Sequence, residues 1–130
     1  MRSLLSTPIV LLLGGAIGYA ICTVAGWRPH LHDAAFAVAI AMVATAAAVI
    51  PLFLARRSDQ NALAQAGLVA LMVHLFTATA LAGGMILIAK PPMAFTYWLF
   101  AFYWMTLILV ATSAVRLIKA APMTRSVTKQ

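Results

Sequence analysis

Residues 34–55 read AAFAVAIAMVATAAAVIPLFLA, twenty-two positions without a charged side chain. Asp33 stands directly before this run and Arg56-Arg57 directly after it. A helix of that length rises about 33 Å, close to the thickness of a bilayer's hydrocarbon core. The run predicts a membrane-crossing helix with Asp33 as its N-cap. Pro51 removes one backbone bond near the end and predicts a kink in the last turn.

Three more runs of the same kind flank it, at residues 8–26, 66–89 and 93–118. No Asp or Glu lies in any of the four, and the one Lys or Arg is Arg116, close to the end of the last. Hydrophobic residues make up 65% of the 130 positions and charged residues 8%, against roughly 45–50% and 25% in soluble domains. A water-soluble fold has nowhere to hide that much apolar surface, so lipid must be part of the solvent. The expected architecture is all-α: one polytopic membrane domain over residues 1–130, with four transmembrane helices in two antiparallel hairpins. No separate soluble domain fits.

Local signals sharpen the boundaries. Thr7 suits an N-cap and Pro8 the first helical position. Arg2 ahead of an apolar run also matches a secretory signal, but the segment is expected to be kept as the first helix. Trp27 suits the headgroup interface. Ser58-Asp59-Gln60-Asn61 reads as a polar approach to the third helix. Pro91-Pro92 stops that helix, and Lys90-Pro91-Pro92 is short enough to force an antiparallel hairpin. Residues 120–130 read as a polar tail.

Charge sets the expected orientation. Arg2, Arg56, Arg57, Arg116, Lys119, Arg125 and Lys129 fall on one side, and Arg28 and Lys90 on the other. Seven against two predicts both termini in the cytoplasm, with a bacterial inner membrane as the location. The net charge of +7 sits in loops and ends, not on a folded basic face, so anionic lipid is the expected partner and nucleic acid is not. Arg56 and Arg57, beside Asp59, either contact acidic lipid or a partner surface, or simply act as a topological stop signal.

Small residues recur four apart in the first helix, at Gly14, Gly18, Cys22 and Gly26. The second helix answers with Ala37, Ala41, Ala44 and Ala48. Such surfaces let membrane helices approach closely. They predict either the contact inside the first hairpin or a docking face for another protein's helix. Cys22 is the single cysteine, which excludes an internal disulfide and a multi-cysteine metal site.

His74 is the one ionisable side chain expected near the midplane. Depth bookkeeping along antiparallel helices places Tyr19, Thr45, Thr77 and Thr106 at a similar level, where hydroxyls would satisfy a neutral imidazole. Intramembrane histidines serve proton relays and haem ligation. A relay usually has acidic partners, and these helices offer none, so a hydrogen-bonded packing role is expected. His30 and His32, just before Asp33, are of the type that holds zinc or copper. No Cys or Glu stands nearby to complete a closed site, and no metal or other cofactor is expected. Seven aromatics crowd residues 95–104. They are read as spread around the helix, with Tyr97 and Trp98 in the interfacial belt and Trp104 in a helix contact. No triad, phosphate loop or intramembrane carboxylate is present, so no catalytic residue is assigned and the chain is not read as an enzyme.

In topology the chain resembles the ATP synthase protein I family of small four-helix bacterial membrane proteins. The residues that carry the resemblance are Ile50-Pro51-Leu52-Phe53-Leu54-Ala55-Arg56-Arg57, the turn Ile88-Ala89-Lys90-Pro91-Pro92, and Val115-Arg116-Leu117-Ile118-Lys119. Many family members carry a longer charged N-terminus than Met1-Arg2-Ser3. The resemblance implies a non-catalytic protein that helps assemble the membrane sector of an F-type ATP synthase, with other integral membrane subunits as partners. An accessory subunit of a respiratory complex, or a small transporter using His74, is the alternative.

Overall fold

The computed structural model describes residues 6–26 and 30–121. These form α1 (Thr7–Val24), α2 (Leu31–Ala55), α3 (Gln60–Ala89) and α4 (Met93–Ala120). Arg2, Trp27, Arg28, Arg125, Lys129 and the tail beyond Ala121 lie outside the described residues. Three helices are long and apolar enough to cross a membrane: α2 with 25 residues, α3 with 30 and α4 with 28. The apolar stretch of α1 is shorter. Its 18 residues rise about 27 Å, against a hydrocarbon core of about 30 Å.

The helix ends differ from expectation in ways that cap chemistry explains. Ser6, not Thr7, occupies the N-cap position of α1, with Thr7 as the first helical residue. At its other end α1 stops at Val24, and Gly26 takes φ +80. No neighbour crowds the place of a Cβ there. Gly26 is therefore a helix terminator that exploits the left-handed conformation, not a packing residue.

The expected cap at Asp33 is also corrected. The cap position of α2 is His30, in extended conformation, and Asp33 falls in the first turn, where a carboxylate meets the positive end of the helix dipole. The polar approach to the third helix turns out to be the helix itself. α3 starts at Gln60, six residues before the apolar body at Ala66, because Asp59 caps it: the side chain accepts from the Ala62 N–H at 3.2 Å. Asp59→Ala should cost about 1 kcal/mol, read as a lower thermal midpoint in detergent, whereas Ser58→Ala, which removes no cap, should leave the midpoint in place.

The turn from α3 to α4 is tight. Lys90 adopts φ +43 and returns its N–H to Ile86 O at 3.2 Å. Pro92 then caps α4, its carbonyl accepting from the Phe95 N–H at 2.9 Å.

The helices do not pair as two separate hairpins. α2, α3 and α4 pack on one another as a three-helix core, with the α2–α3 contact the most extensive. α1 lies outside this core, touching α4 and α2 sparsely. The alanine face of α2 explains the pairing. Ala37, Ala41, Ala44 and Ala48 are all buried, and a flat face of this kind admits another helix at close range. The buried small residues of α3 are Gly67, Ala70, Ala78 and Ala82, and at Gly67 the close neighbour is Ala114 of α4.

Two apolar clusters fill the bundle. Toward the α3–α4 turn lie Leu11, Ala37, Ile40, Ala41, Phe95, Trp98 and Phe102. Toward the α2–α3 turn lie Ala48, Leu52, Ala70, Val110 and Ala114. The buried aromatics of α4, Phe95, Trp98 and Phe102, continue through Thr106, Val110 and Ser113 as one stripe, while Tyr97, Phe100 and Trp104 are exposed, so the aromatics are spread around the helix. Trp98 is buried and stacked on Phe102 with ring centroids 5.6 Å apart, whereas Trp104, expected in a helix contact, faces outward. Large apolar side chains are exposed on every helix, among them Leu12, Val43, Phe76 and Phe100. Water would not tolerate such a surface on a monomer. Lipid does.

Candidate functional site

A layer of polar side chains separates the two apolar clusters. Thr45 lies between Ala41 and Ala48 on α2, His74 between Ala70 and Ala78 on α3, and Thr106 between Phe102 and Val110 on α4, and all three are buried. His74 Nε2 stands 3.0 Å from Thr106 Oγ1. That hydroxyl also lies 2.9 Å from Phe102 O and 3.0 Å from Tyr103 O. With its single proton on one of these carbonyls, Thr106 accepts from His74 and the imidazole carries its proton on Nε2. Nδ1 is then a bare acceptor, buried and without a hydrogen-bond partner. The imidazole lies against the Tyr103 ring, centroids 5.3 Å apart.

Of the five side chains expected at this level, the structure joins two. Thr45 is buried but donates to Ala41 O in its own helix at 2.7 Å. Thr77 is half-buried on α3, and Tyr19 is exposed on α1. Tyr19 sits at another level, because Gly18 beside it faces Trp98, about two turns of α4 from Thr106, and α1 also lies outside the core. Tyr103 was not singled out by sequence. Its signal was its place on α4, three residues before Thr106.

The stripe on α1 does not face α2, nor is it free for another protein. A Cβ at Gly14 would collide with Met105 Cε, and one at Gly18 would lie 3.0 Å from Trp98 Cζ3. Gly15 faces Phe102. The glycines are notches that receive side chains of α4. Cys22 is half-buried against the same cluster and is a free thiol.

The outer histidines do not converge. His30 and His32 are exposed, and His32 packs edge-on to Phe36, centroids 5.3 Å apart. Asp33 is half-buried, with Oδ2 enclosed and lacking a partner. Among the described residues no group of three His, Cys, Asp or Glu stands together as a metal set. In the basic loop the Arg56 guanidinium lies 4.1 Å above the Phe53 ring, and Arg57 is exposed. Asp59 is engaged as the cap of α3, which leaves both arginines to whatever lies outside the bundle.

Chemically, the layer is a neutral imidazole with one fixed donor and one unused lone pair, enclosed between apolar clusters. Comparison with family models, with curated proteins and with solved structures returned no match to this chain.

Proposed function

We propose that this chain is a non-catalytic accessory or assembly protein of an energy-converting membrane complex, F-type ATP synthase first among them, in a bacterial inner membrane with both termini cytoplasmic. The observation that supports this reading is where the polar atoms go. The hydroxyls of Thr45, Thr106, Thr112 and Ser113 bond to carbonyls of their own helices, and His74 is tied to Thr106. Asp33, in the first turn of α2, is the one acidic side chain within the four helices, and it lies twelve residues along α2 from Thr45. Polar groups spent on internal packing form no relay, and the remaining asset is a broad apolar surface for contact with other subunits. The resemblance to the ATP synthase protein I family, and the seven-to-two division of basic residues, supply the finer statement.

Deleting the chain from its host tests it. The amount of assembled rotor ring, measured on native gels of solubilised membranes, should fall while the ring subunit itself is still made. An unchanged ring removes the ATP synthase reading. Proton or solute flux through vesicles holding the purified protein, abolished by His74→Ala, would replace it with a transporter.

A further inference from the structure

Between α3 and α4, on the half of the bundle nearest Lys90, runs an open groove of about 370 Å³. Its floor is small, with Ala78, Ala82 and Gly83 on α3, and its walls include Ile86, Leu99 and Phe100. A volume of a few hundred Å³ is the scale of a small-ligand site. From Leu75 to Ile86 the groove follows twelve residues of α3, a rise of about 17 Å. That is roughly half of a 30 Å hydrocarbon core, the depth one leaflet's acyl chain fills. Tyr103 closes the inner end, where its ring meets His74.

The other end carries charge. Lys90 follows one turn after Ile86 and is exposed. Among the described residues it forms no ion pair, although Asp33 lies at the same end of the bundle, on α2. Thr96, one turn into α4, lines the groove near this end and makes no hydrogen bond among the described residues. A free ammonium, then a hydroxyl, then a narrow apolar trough match the order of phosphate, ester and acyl chain in a phospholipid. Lys acts on phosphate as a point charge.

We propose that this groove seats one acyl chain of an anionic phospholipid, with the phosphate at Lys90 and the ester carbonyl at Thr96. The occupant is a lipid held in place, distinct from the lipid that merely surrounds the bundle.

Gly83 supplies the decisive variant. A Cβ there meets nothing within 4 Å, so Gly83→Leu fills the trough without disturbing the fold. The full chain is purified from nanodiscs containing equal phosphatidylglycerol and phosphatidylcholine with matched chains, and retained lipid is counted by native mass spectrometry. The wild-type protein should keep phosphatidylglycerol in excess. Lys90→Gln should cut that excess roughly five-fold. Gly83→Leu should lose both lipids at an unchanged or raised thermal midpoint. Equal retention of the two headgroups, or retention indifferent to Gly83→Leu, overturns the proposal. So does a wild-type dimer that Gly83→Leu dissolves, because a second copy would then occupy the groove.

Discussion

Gly18→Leu should release α1 from the bundle. The Cβ of any side chain at this position lies 3.0 Å from Trp98 Cζ3 and 3.2 Å from Cη2. Trp98 cannot move aside, because it is buried and stacked on Phe102. Overpacking of this kind costs about 1–3 kcal/mol. α1 has few other contacts to offset it, so its docking equilibrium should shift roughly 5- to 150-fold. Cys22 reports the change directly. It is the chain's one thiol, half-buried against the cluster that α1 covers, and its rate of maleimide labelling in nanodiscs should rise by a similar factor. Gly14→Ala should be far milder, because the atom it displaces is Met105 Cε, the end of a flexible side chain. Ala16→Leu, on the exposed side of α1, should leave labelling unchanged. Equal labelling of Gly18→Leu and wild type would mean that α1 does not dock as described.

Thr106→Val should destabilise the bundle by about 1–3 kcal/mol, because it leaves the His74 N–H enclosed without an acceptor. His74→Leu should do the opposite of what removing a buried polar residue suggests. It deletes the donor together with the unpartnered Nδ1, while Thr106 still has Phe102 O to donate to at 2.9 Å. Stability should hold or rise. The double variant should match His74→Leu, with the cost of Thr106→Val gone, and that difference isolates the pair. Thermal or denaturant unfolding in detergent measures all three. If Thr106→Val proved harmless, water would be serving the imidazole, and the polar layer would become a wet path of the kind a transporter needs.

The apolar helices were legible in the sequence because length and the absence of charge decide them, although only three of the four reach spanning length. Helix neighbours were not. In a chain whose outer face is as apolar as its core, hydrophobic patterning cannot say which side turns inward, as Phe76 and Phe102 show: one is exposed and the other buried. Small residues announce a close approach but not the identity of what approaches. Gly14 and Gly18 met aromatic and sulfur side chains of α4, where a flat alanine face had been the expected partner. Depth bookkeeping found Thr106 for His74 because both belong to the core. It misplaced Tyr19 because α1 is seated with Gly14, not Tyr19, nearest the Thr106 level, and lies outside the core. The caps failed for a local reason. Asp59 and Asp33 both precede apolar runs, but only Asp59 places its carboxylate on the N–H three residues on.

The seating of α1 on α4 sets an order of events during synthesis. α1 finds its notch-fillers, Trp98, Phe102 and Met105, only when α4 has been made. Until then α1 has only its sparse contact with α2, while α2 and α3 are already able to join. Closure of the bundle is thus a contact between helices that α2 and α3 separate along the chain, and a chain cut short before α4 leaves α1 without its notch-fillers.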